Sequence, residues 1–361
     1  MAVPAPATRA PAGDRRLRAR LALVLTGLAL VAAIVLSVAV GPTGIGLDAL
    51  PRVVTAILSG DTSDPAILRE KLVLLDIRLP RTVLAVLVGG ALAITGAMMQ
   101  GLFRNPLADP GLVGASSGAG LAAVSVIALG DGLLMPLVSH LGAHALPVSA
   151  VVGALATTAL LHVISTRGGR TSVATLLLAG VAIGALTGAI TGLIVFSADD
   201  RELRDITFWT MGGLGGASWG RILAALPFFV VAGLAAIRLA RPLDALLLGE
   251  AEAIHLGVST ERTKRLAIAA SSAAVGAAVA LSGVIGFVGI VVPHLVRLVT
   301  GPSHRYVLPG AALLGAALLP AADVAARLLV APAELPIGIV TAILGAPFFL
   351  WLLLTRRGGL G

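Results

Sequence analysis

The stretch LALVLTGLALVAAIVLSVAV, which is Leu21–Val40, sets the structural class of this protein. Its 20 residues carry no charge, and a helix of that length crosses a bilayer core of ~30 Å. Four arginines between residues 15 and 20 precede it, as in a signal peptide, but the run is long and no clear small-residue cleavage site follows. We therefore expect a retained first transmembrane helix behind a cytoplasmic tail, residues 1–20, whose Pro- and Ala-rich beginning is disordered.

The composition of the whole chain also indicates a membrane protein. Of its 361 residues, 57% are hydrophobic and only 12% are charged, whereas a soluble domain usually carries about 25% charged residues. The absence of cysteine excludes disulfides, zinc-thiolate sites, iron–sulfur clusters and a cysteine nucleophile. The net charge of +8 does not indicate nucleic-acid binding, because Lys and Arg accumulate on cytoplasmic loops and aromatic residues are only 3%. The expected surroundings are a lipid bilayer, with no nucleic acid.

Ten apolar runs, separated by polar, Pro or Gly breaks, predict ten transmembrane helices. Placing the N-terminus inside puts 17 of the 26 Lys and Arg residues on the inner side, as the positive-inside rule requires. The predicted fold is an all-α polytopic membrane protein with both termini in the cytoplasm and a transmembrane domain over residues 21–355. The predicted spans are residues 21–40, 81–101, 111–130, 147–166, 173–196, 219–240, 266–282, 284–299, 306–329 and 335–355.

Features of other function classes are missing from the chain. There is no phosphate loop, since neither Lys71 nor Lys264 follows a glycine, so the energy for a pump would come from another chain. An ion-coupled secondary carrier usually places carboxylates near the middle of a span, and few ionisable residues fall there. An intramembrane enzyme needs a paired nucleophile and base, and no His-Glu-x-x-His motif occurs. We therefore expect a transport subunit without catalytic residues rather than an enzyme.

Two arginines open the second predicted span on the outer side, in Arg78-Leu79-Pro80-Arg81. Guanidinium groups about one turn apart, at a helix start fixed by proline, would form a rigid cationic prong. Arg327 is expected near the outer end of the ninth span. Cations on this side run against the topology bias, which hints at an acidic partner. Anchoring of the arginines to lipid headgroups explains them equally well.

The longest predicted cytoplasmic loop covers residues 241–265. Asp244 could cap one short helix that ends at Gly249, and Glu250–Leu256 could form a second helix that stops at Gly257. Two short helices joined at a glycine make a compact knob suited to a groove on a partner protein. A solvated interfacial loop is the open alternative.

A third segment, Asn105-Pro106-Leu107-Ala108-Asp109-Pro110, follows the second span on the inner side. Its two prolines force the backbone to turn, and irregular backbone at membrane depth is tolerated only where protein buries it or water reaches it. A pathway lining or gate and an ordinary inter-helix turn both fit. His140 and His144 stand at helical i, i+4 spacing, but no third ligand is in view, so we expect no metal site.

These loops, taken in order, resemble the bacterial permeases of type II ABC importers, the family that takes up ferric siderophores, haem and cobalamin. The similarity runs from Arg78 almost to the C-terminus. Its motifs are Arg78-Leu79-Pro80-Arg81, Met99-Gln100, Asn105–Pro110, Gly114–Ala119, Leu248-Gly249-Glu250 with Leu256-Gly257, Gly286–Gly289 with Val292-Pro293-His294 and Arg297, and Glu334–Gly338 with Leu344–Pro347.

The resemblance implies an assembly in the bacterial inner membrane. Two copies of this chain would pair around a central path, with two ABC ATPase subunits below, which bind ATP and Mg, and a periplasmic substrate-binding protein above. The chain itself would bind no cofactor. By this resemblance Arg78, Arg81 and Arg327 dock the binding protein; Asp244, Leu248, Gly249, Glu250, Glu252, Leu256 and Gly257 couple to the ATPase; and Asn105, Pro106, Leu107, Ser172, Val173 and Ala174 border the inner gate.

The substrate implied by the resemblance is haem. The segment from Asp199 to Gly212 and the Leu-Gly-Glu-Ala-Glu-Ala form of the coupling knob are most similar to haem permeases, so the binding protein would be a haem-binding one. Ferric siderophore and cobalamin are the alternative substrates. Val173 and Ala174 depart from the cobalamin type, which has hydroxyl residues at these positions.

Overall fold

The computed structural model describes residues 12–41, 45–46, 48–59, 64–331 and 333–355, which are almost entirely helical. A π-helical turn (Leu72–Arg78) and 3-10 turns (Pro110–Val113 and Gly142–His144) join some of the helices. The α-helices are α1 (Ala12–Ala39), α2 (Ala49–Ser59), α3 (Pro65–Lys71), α4 (Leu79–Leu102), α5 (Ala115–Leu129), α6 (Met135–Leu141), α7 (Ala145–Ser165), α8 (Val173–Ser197), α9 (Asp200–Thr210), α10 (Trp219–Leu246), α11 (Glu250–His255), α12 (Thr260–Ser282), α13 (Val288–Thr300), α14 (His304–Leu328) and α15 (Ile337–Thr355).

The predicted all-α membrane architecture is confirmed. Each of the ten predicted spans contains a helix, namely α1, α4, α5, α7, α8, α10, α12, α13, α14 and α15. Among the described residues, seven helical stretches are long and apolar enough to cross a bilayer, while α5, α13 and α15 are shorter. The exact number of spans and the side of each terminus stay predictions, and we call the two ends of the bundle outer and inner according to them.

The structure corrects the boundaries at two places. The predicted tail is helical from residue 12, because α1 extends nine residues before the apolar run; residues 1–11 lie outside the described part. The helix that contains the second span begins at Pro65 rather than near residue 81, since α3, the π-helical turn and α4 are continuous. Here Asp64 caps the start, where its side chain accepts a hydrogen bond from the Ala66 N–H.

The core forms where small residues let helices approach closely. A Cβ atom at Gly89 of α4 would collide with the Gly315 carbonyl of α14, and one at Gly96 would collide with the Gly289 carbonyl of α13. Without a hydrophobic driving force between helices in lipid, such close packing supplies the contact energy. As a result α4 and α12 are largely buried, whereas α1 and α8 lie at the periphery with most of their surface exposed.

A two-stranded hairpin that was not predicted joins α7 to α8 at the inner end. Strand β1 (Thr166–Arg167) pairs antiparallel with β2 (Arg170–Thr171). The turn is Gly168-Gly169, with φ angles of 56° and 76°, a left-handed conformation that glycine adopts without a steric penalty. The Gly168-Gly169 pair between two short polar segments is a sequence signal for a hairpin turn, so this hairpin could have been predicted.

Candidate functional site

Two of the three outer arginines, Arg81 and Arg327, meet at one buried carboxylate. Arg81, at the start of α4, donates from Nε and Nη2 to Asp323 of α14, at 2.9 to 3.1 Å. Its Nη1 lies 2.9 Å from both carboxylate oxygens of Glu334, just before α15. Arg327 also contacts Asp323, with Nε 3.1 Å from Oδ2. Asp323 is only 1% exposed, so its charge is shared between two guanidinium groups in a buried network.

The end of α1 is held by two of these arginines. Arg78 donates to the carbonyl oxygens of Val38 and Ala39 at 2.8 and 3.2 Å. Arg327 donates to the carbonyls of Ser37 and Val40 at 3.2 and 2.9 Å. The last carbonyls of a helix have no partner within the helix and carry partial negative charge, so cationic side chains stabilise them. These arginines therefore lock α1 onto the outer ends of α4 and α14.

This arrangement corrects the expected cationic prong. Arg78, Arg81 and Arg327 are each less than 10% exposed, because their partners lie in this same chain. Their role in docking a binding protein is untested by the structure and stays a prediction. The spacing of Asp323 and Arg327, four residues apart on one helix, was the available signal for internal pairing.

A cavity of about 290 Å³ opens beside this network. Arg81, Asp323 and Glu334 form its polar side. Phe208, near the end of α9, and the following glycine-rich segment, residues 212–215, also line it. The outer end thus combines a cation, carboxylates and an exposed aromatic ring.

The predicted irregular backbone after the second span is confirmed. The Asn105 side chain accepts the Leu107 N–H at 2.9 Å, which makes the turn that Pro106 requires. Asp109 accepts the Gly111 N–H at 2.6 Å and caps the 3-10 turn that follows. Burial raises the pKa of Asp109, although this hydrogen bond opposes the rise. The unfolded chain therefore ionises first, and Asp109 weakens folding as the pH rises above its ordinary pKa.

The second gate candidate is the start of α8. Ser172 is the N-cap residue, and its Oγ accepts the Thr175 N–H at 3.3 Å. Val173 and Ala174 follow in the first turn. Ser172 and Asn105 are both exposed at the inner end, and their gate role stays a prediction.

The coupling segment differs from the prediction in its first half. No separate short helix forms around Asp244, because α10 continues through Pro242 to Leu246. The carboxylate of Asp244 instead contacts the start of α14, accepting from the His304 backbone N–H at 2.7 Å and from Ser303 Oγ at 3.0 Å. The prediction that Asp244 caps a short helix of the coupling segment is therefore wrong, because Asp244 caps the start of α14 instead. A residue 60 positions away supplies the partner, which local sequence does not reveal.

The second half of the coupling segment matches the prediction. Helix α11 runs from Glu250 to His255, between Gly249 (φ 131°) and Gly257 (φ 79°), both of which have backbone conformations that favour glycine. Leu248 and Leu256 are 66% and 63% exposed, on either side of this short helix. Glu250 and Glu252 stand in its first turn. The result is an apolar knob at the inner end, the kind of exposed patch that marks a protein interface.

One residue of this region was missed by the sequence analysis. Lys264 of α12 is 3% exposed and pairs with Glu250 of α11 and Glu261 of its own helix, at 2.9 and 3.0 Å. A lysine within a polar helix start gives no sequence signal of burial.

Known proteins match this chain over most of its length. The family model described as the FecCD transport family matches residues 28–355. The hemin transport system permease protein of Yersinia pestis is 50% identical over 78% of this chain and 83% of its own length. The cobalamin import system permease protein of Halobacterium salinarum is 48% identical, over 78% of this chain and 73% of its own. The vitamin B12 import system permease protein of Escherichia coli is 45% identical, over 82% and 87%.

A solved structure shares the architecture. It is a metal-chelate type ABC transporter in an inward-facing conformation, 33% identical to this chain, with a TM-score of 0.77. The similarity covers 92% of this chain and 98% of that one.

Proposed function

Because this chain belongs to the FecCD transport family, we propose that it is the permease through which an ABC importer carries haem into the cytoplasm. The family establishes the general class: a multi-pass inner-membrane permease of an ABC importer, not an enzyme in itself. The substrate, the partners and the coupling route below are the proposed part.

An exposed aromatic side chain in the outer cavity carries the haem proposal. Phe208 is 61% exposed and shares the cavity with the Arg81 guanidinium. Haem is a flat aromatic ring, so the exposed ring of Phe208 offers it a face for stacking. The 50% identity to a hemin permease supports the same substrate.

Cobalamin is the second candidate, and one observation favours it. Two cobalamin permeases are 48% and 45% identical to this chain, almost as similar as the hemin permease. Cobalamin is bulkier and carries amide side chains around its ring, so it would stack less closely on Phe208.

The inner end would receive two ATPase subunits. The exposed leucines beside α11 offer an apolar contact, and the acidic residues of its first turn can orient it. ATP and Mg would bind to those subunits and not to this chain. Closure of the ATPases would then press on α11, and each bound state must favour a different conformation of the permease.

A second copy of the chain would complete the pathway. Helix α8 is exposed over most of its surface, and a Cβ atom at Gly188 or Gly192 would meet open space. Small residues on a helix face allow a neighbouring helix to approach closely, so this face suits the partner copy. A haem-binding protein would deliver the substrate to the outer end, where Arg81 lines the open cavity.

Uptake into proteoliposomes tests the proposal. Vesicles would hold this chain, its ATPase and luminal ATP, with binding protein and haem outside. Haem accumulation that requires both ATP and the binding protein is the expected result. Cobalamin or siderophore uptake without haem uptake would overturn the substrate. Uptake that follows an ion gradient and ignores ATP would overturn the importer class, and would fit poorly with Asp323, whose charge two arginines already neutralise.

A pair of variants sharpens the test of the haem site. Phe208→Ala should lower haem uptake because it removes the aromatic side of the outer cavity. Phe348→Ala removes the same side chain from a separate apolar cavity between α13, α14 and α15, and should leave uptake per folded complex unchanged. If the two substitutions lowered haem uptake equally, the aromatic ring of the outer cavity would not be what favours haem.

A further inference from the structure

Lys264 is a buried cation whose hydrogen bonds are all used. Its Nζ donates to Glu250 Oε2 and Glu261 Oε1, each at 3.0 Å, and to the Thr171 carbonyl at 3.1 Å. An ammonium group has three N–H donors, and here each has an acceptor. Lysine is rarely buried unless it is paired, so this position is maintained by its three contacts.

The three acceptors belong to three different structural elements. Glu250 is the first residue of α11, Glu261 lies in the first turn of α12, and Thr171 is the last residue of β2. Glu261 Oε2 also accepts from the N–H and the hydroxyl of Thr171, at 3.1 and 2.8 Å. Thr171 is therefore hydrogen-bonded through its amide, hydroxyl and carbonyl groups. It immediately precedes Ser172, the residue that caps α8. We call this group of Lys264, Glu250, Glu261 and Thr171 the inner junction.

We propose that Lys264 is a positioning residue, which transmits movement of α11 to the inner end of α8. The inference rests on the proposed function, in which α11 contacts the ATPase. The Glu250 side chain is 46% exposed and faces the region that a partner would reach, whereas Lys264 is inside. A shift of Glu250 must either carry Lys264 with it or leave this buried ammonium group short of one hydrogen-bond acceptor.

A purely stabilising ion pair is the competing explanation. It would hold the three elements together in every state and would respond to no nucleotide. The two explanations differ in whether exchange of the hairpin amides depends on what the ATPase has bound. Coupling between two sites requires an element that both of them bias, and the hairpin with the start of α8 is that element here.

Hydrogen exchange of the permease–ATPase complex in nanodiscs tests the inference. Exchange of amides in residues 166–174 would be measured with and without Mg and a non-hydrolysable ATP analogue. In the wild type, nucleotide should change the exchange of the Thr171 amide by roughly 5- to 150-fold, the usual range of coupling between sites. Lys264→Met should abolish that change. Lys71→Met, which removes the other lysine from α3 at the outer end, should retain it.

A milder variant guards against misfolding. Glu250→Gln leaves Lys264, Glu261 and Thr171 in contact, so basal exchange of Thr171 should stay at the wild-type rate while the nucleotide effect shrinks. A nucleotide effect that persists in Lys264→Met, or that is missing from the wild type, would overturn the inference alone. Failure of the chain to bind any ATPase would overturn the proposed function and this inference with it. The assay contains no haem, so the substrate proposal stands or falls separately.

Discussion

The burial of Asp323 makes a quantitative prediction about stability. Asp323→Asn keeps the shape of the side chain but removes the negative charge that faces Arg81 and Arg327. Removing one partner from a buried ion pair typically costs about 3–5 kcal/mol, because the other charge is left uncompensated. Arg81 keeps Glu334, and Arg327 keeps the carbonyls of α1. We therefore expect a loss near the lower end, ~3 kcal/mol, which is roughly a 150-fold shift in the unfolding equilibrium.

A matched control lies on the same arginine. Glu334→Gln removes a charge from Arg81 by the same chemical change, but the Glu334 side chain is 43% exposed. Water screens such a pair, so its loss should cost no more than about 1 kcal/mol. The contrast between the two substitutions isolates burial as the cause.

Equilibrium unfolding in mixed detergent micelles provides the assay. The chain has three tryptophans, whose fluorescence can follow the transition, and helix content from circular dichroism gives an independent probe. The reasoning would be refuted if Asp323→Asn stayed within about 1 kcal/mol of the wild type. It would also be refuted if Glu334→Gln destabilised the protein equally.

Three further predictions concern the backbone and one buried acid. Gly249→Pro should uncouple ATP hydrolysis from uptake, since φ of 131° is closed to proline; unchanged stoichiometry would contradict this. Gly96→Ala should lower the yield of folded protein, because its Cβ atom would collide with the Gly289 carbonyl. Gly233→Ala has open space around it and should give a yield equal to or above that of the wild type. Size-exclusion chromatography measures both yields, and equal yields would contradict the prediction. Asp109→Asn should have a higher unfolding temperature than the wild type at neutral pH, because it removes a carboxylate whose pKa burial raises. The difference in unfolding temperature should disappear at acidic pH, where Asp109 is protonated in both states. A difference that does not depend on pH would refute this.

The helices could be predicted because lipid imposes a local rule. Every backbone polar group in the hydrocarbon must be paired within its own helix, so apolar runs such as Leu21–Val40 become helices whatever surrounds them. Glycines at Gly249 and Gly257 likewise determine the bounds of α11 through local backbone geometry. The family resemblance came from the same short loops and was confirmed over residues 28–355.

Side-chain partners could not be predicted in the same way. Arg81 looked like an exposed prong because its carboxylate, Asp323, lies 242 positions further along the chain. Asp244 looked like a cap of the coupling helix, but the start of α14 takes its carboxylate. Whether a polar side chain pairs inside or faces a partner depends on which helices become neighbours.

The sequence and the tertiary structure thus determined different features of this protein, because they depend on different physical interactions. Apolar length, glycine and proline act on the chain within a few residues, and they established an all-α membrane protein with a knob at α11. Electrostatic pairing acts between atoms a few ångströms apart in space. It buried the outer arginines and joined Lys264 to the hairpin, because close packing of small residues along α4, α12 and α14 brought distant segments together.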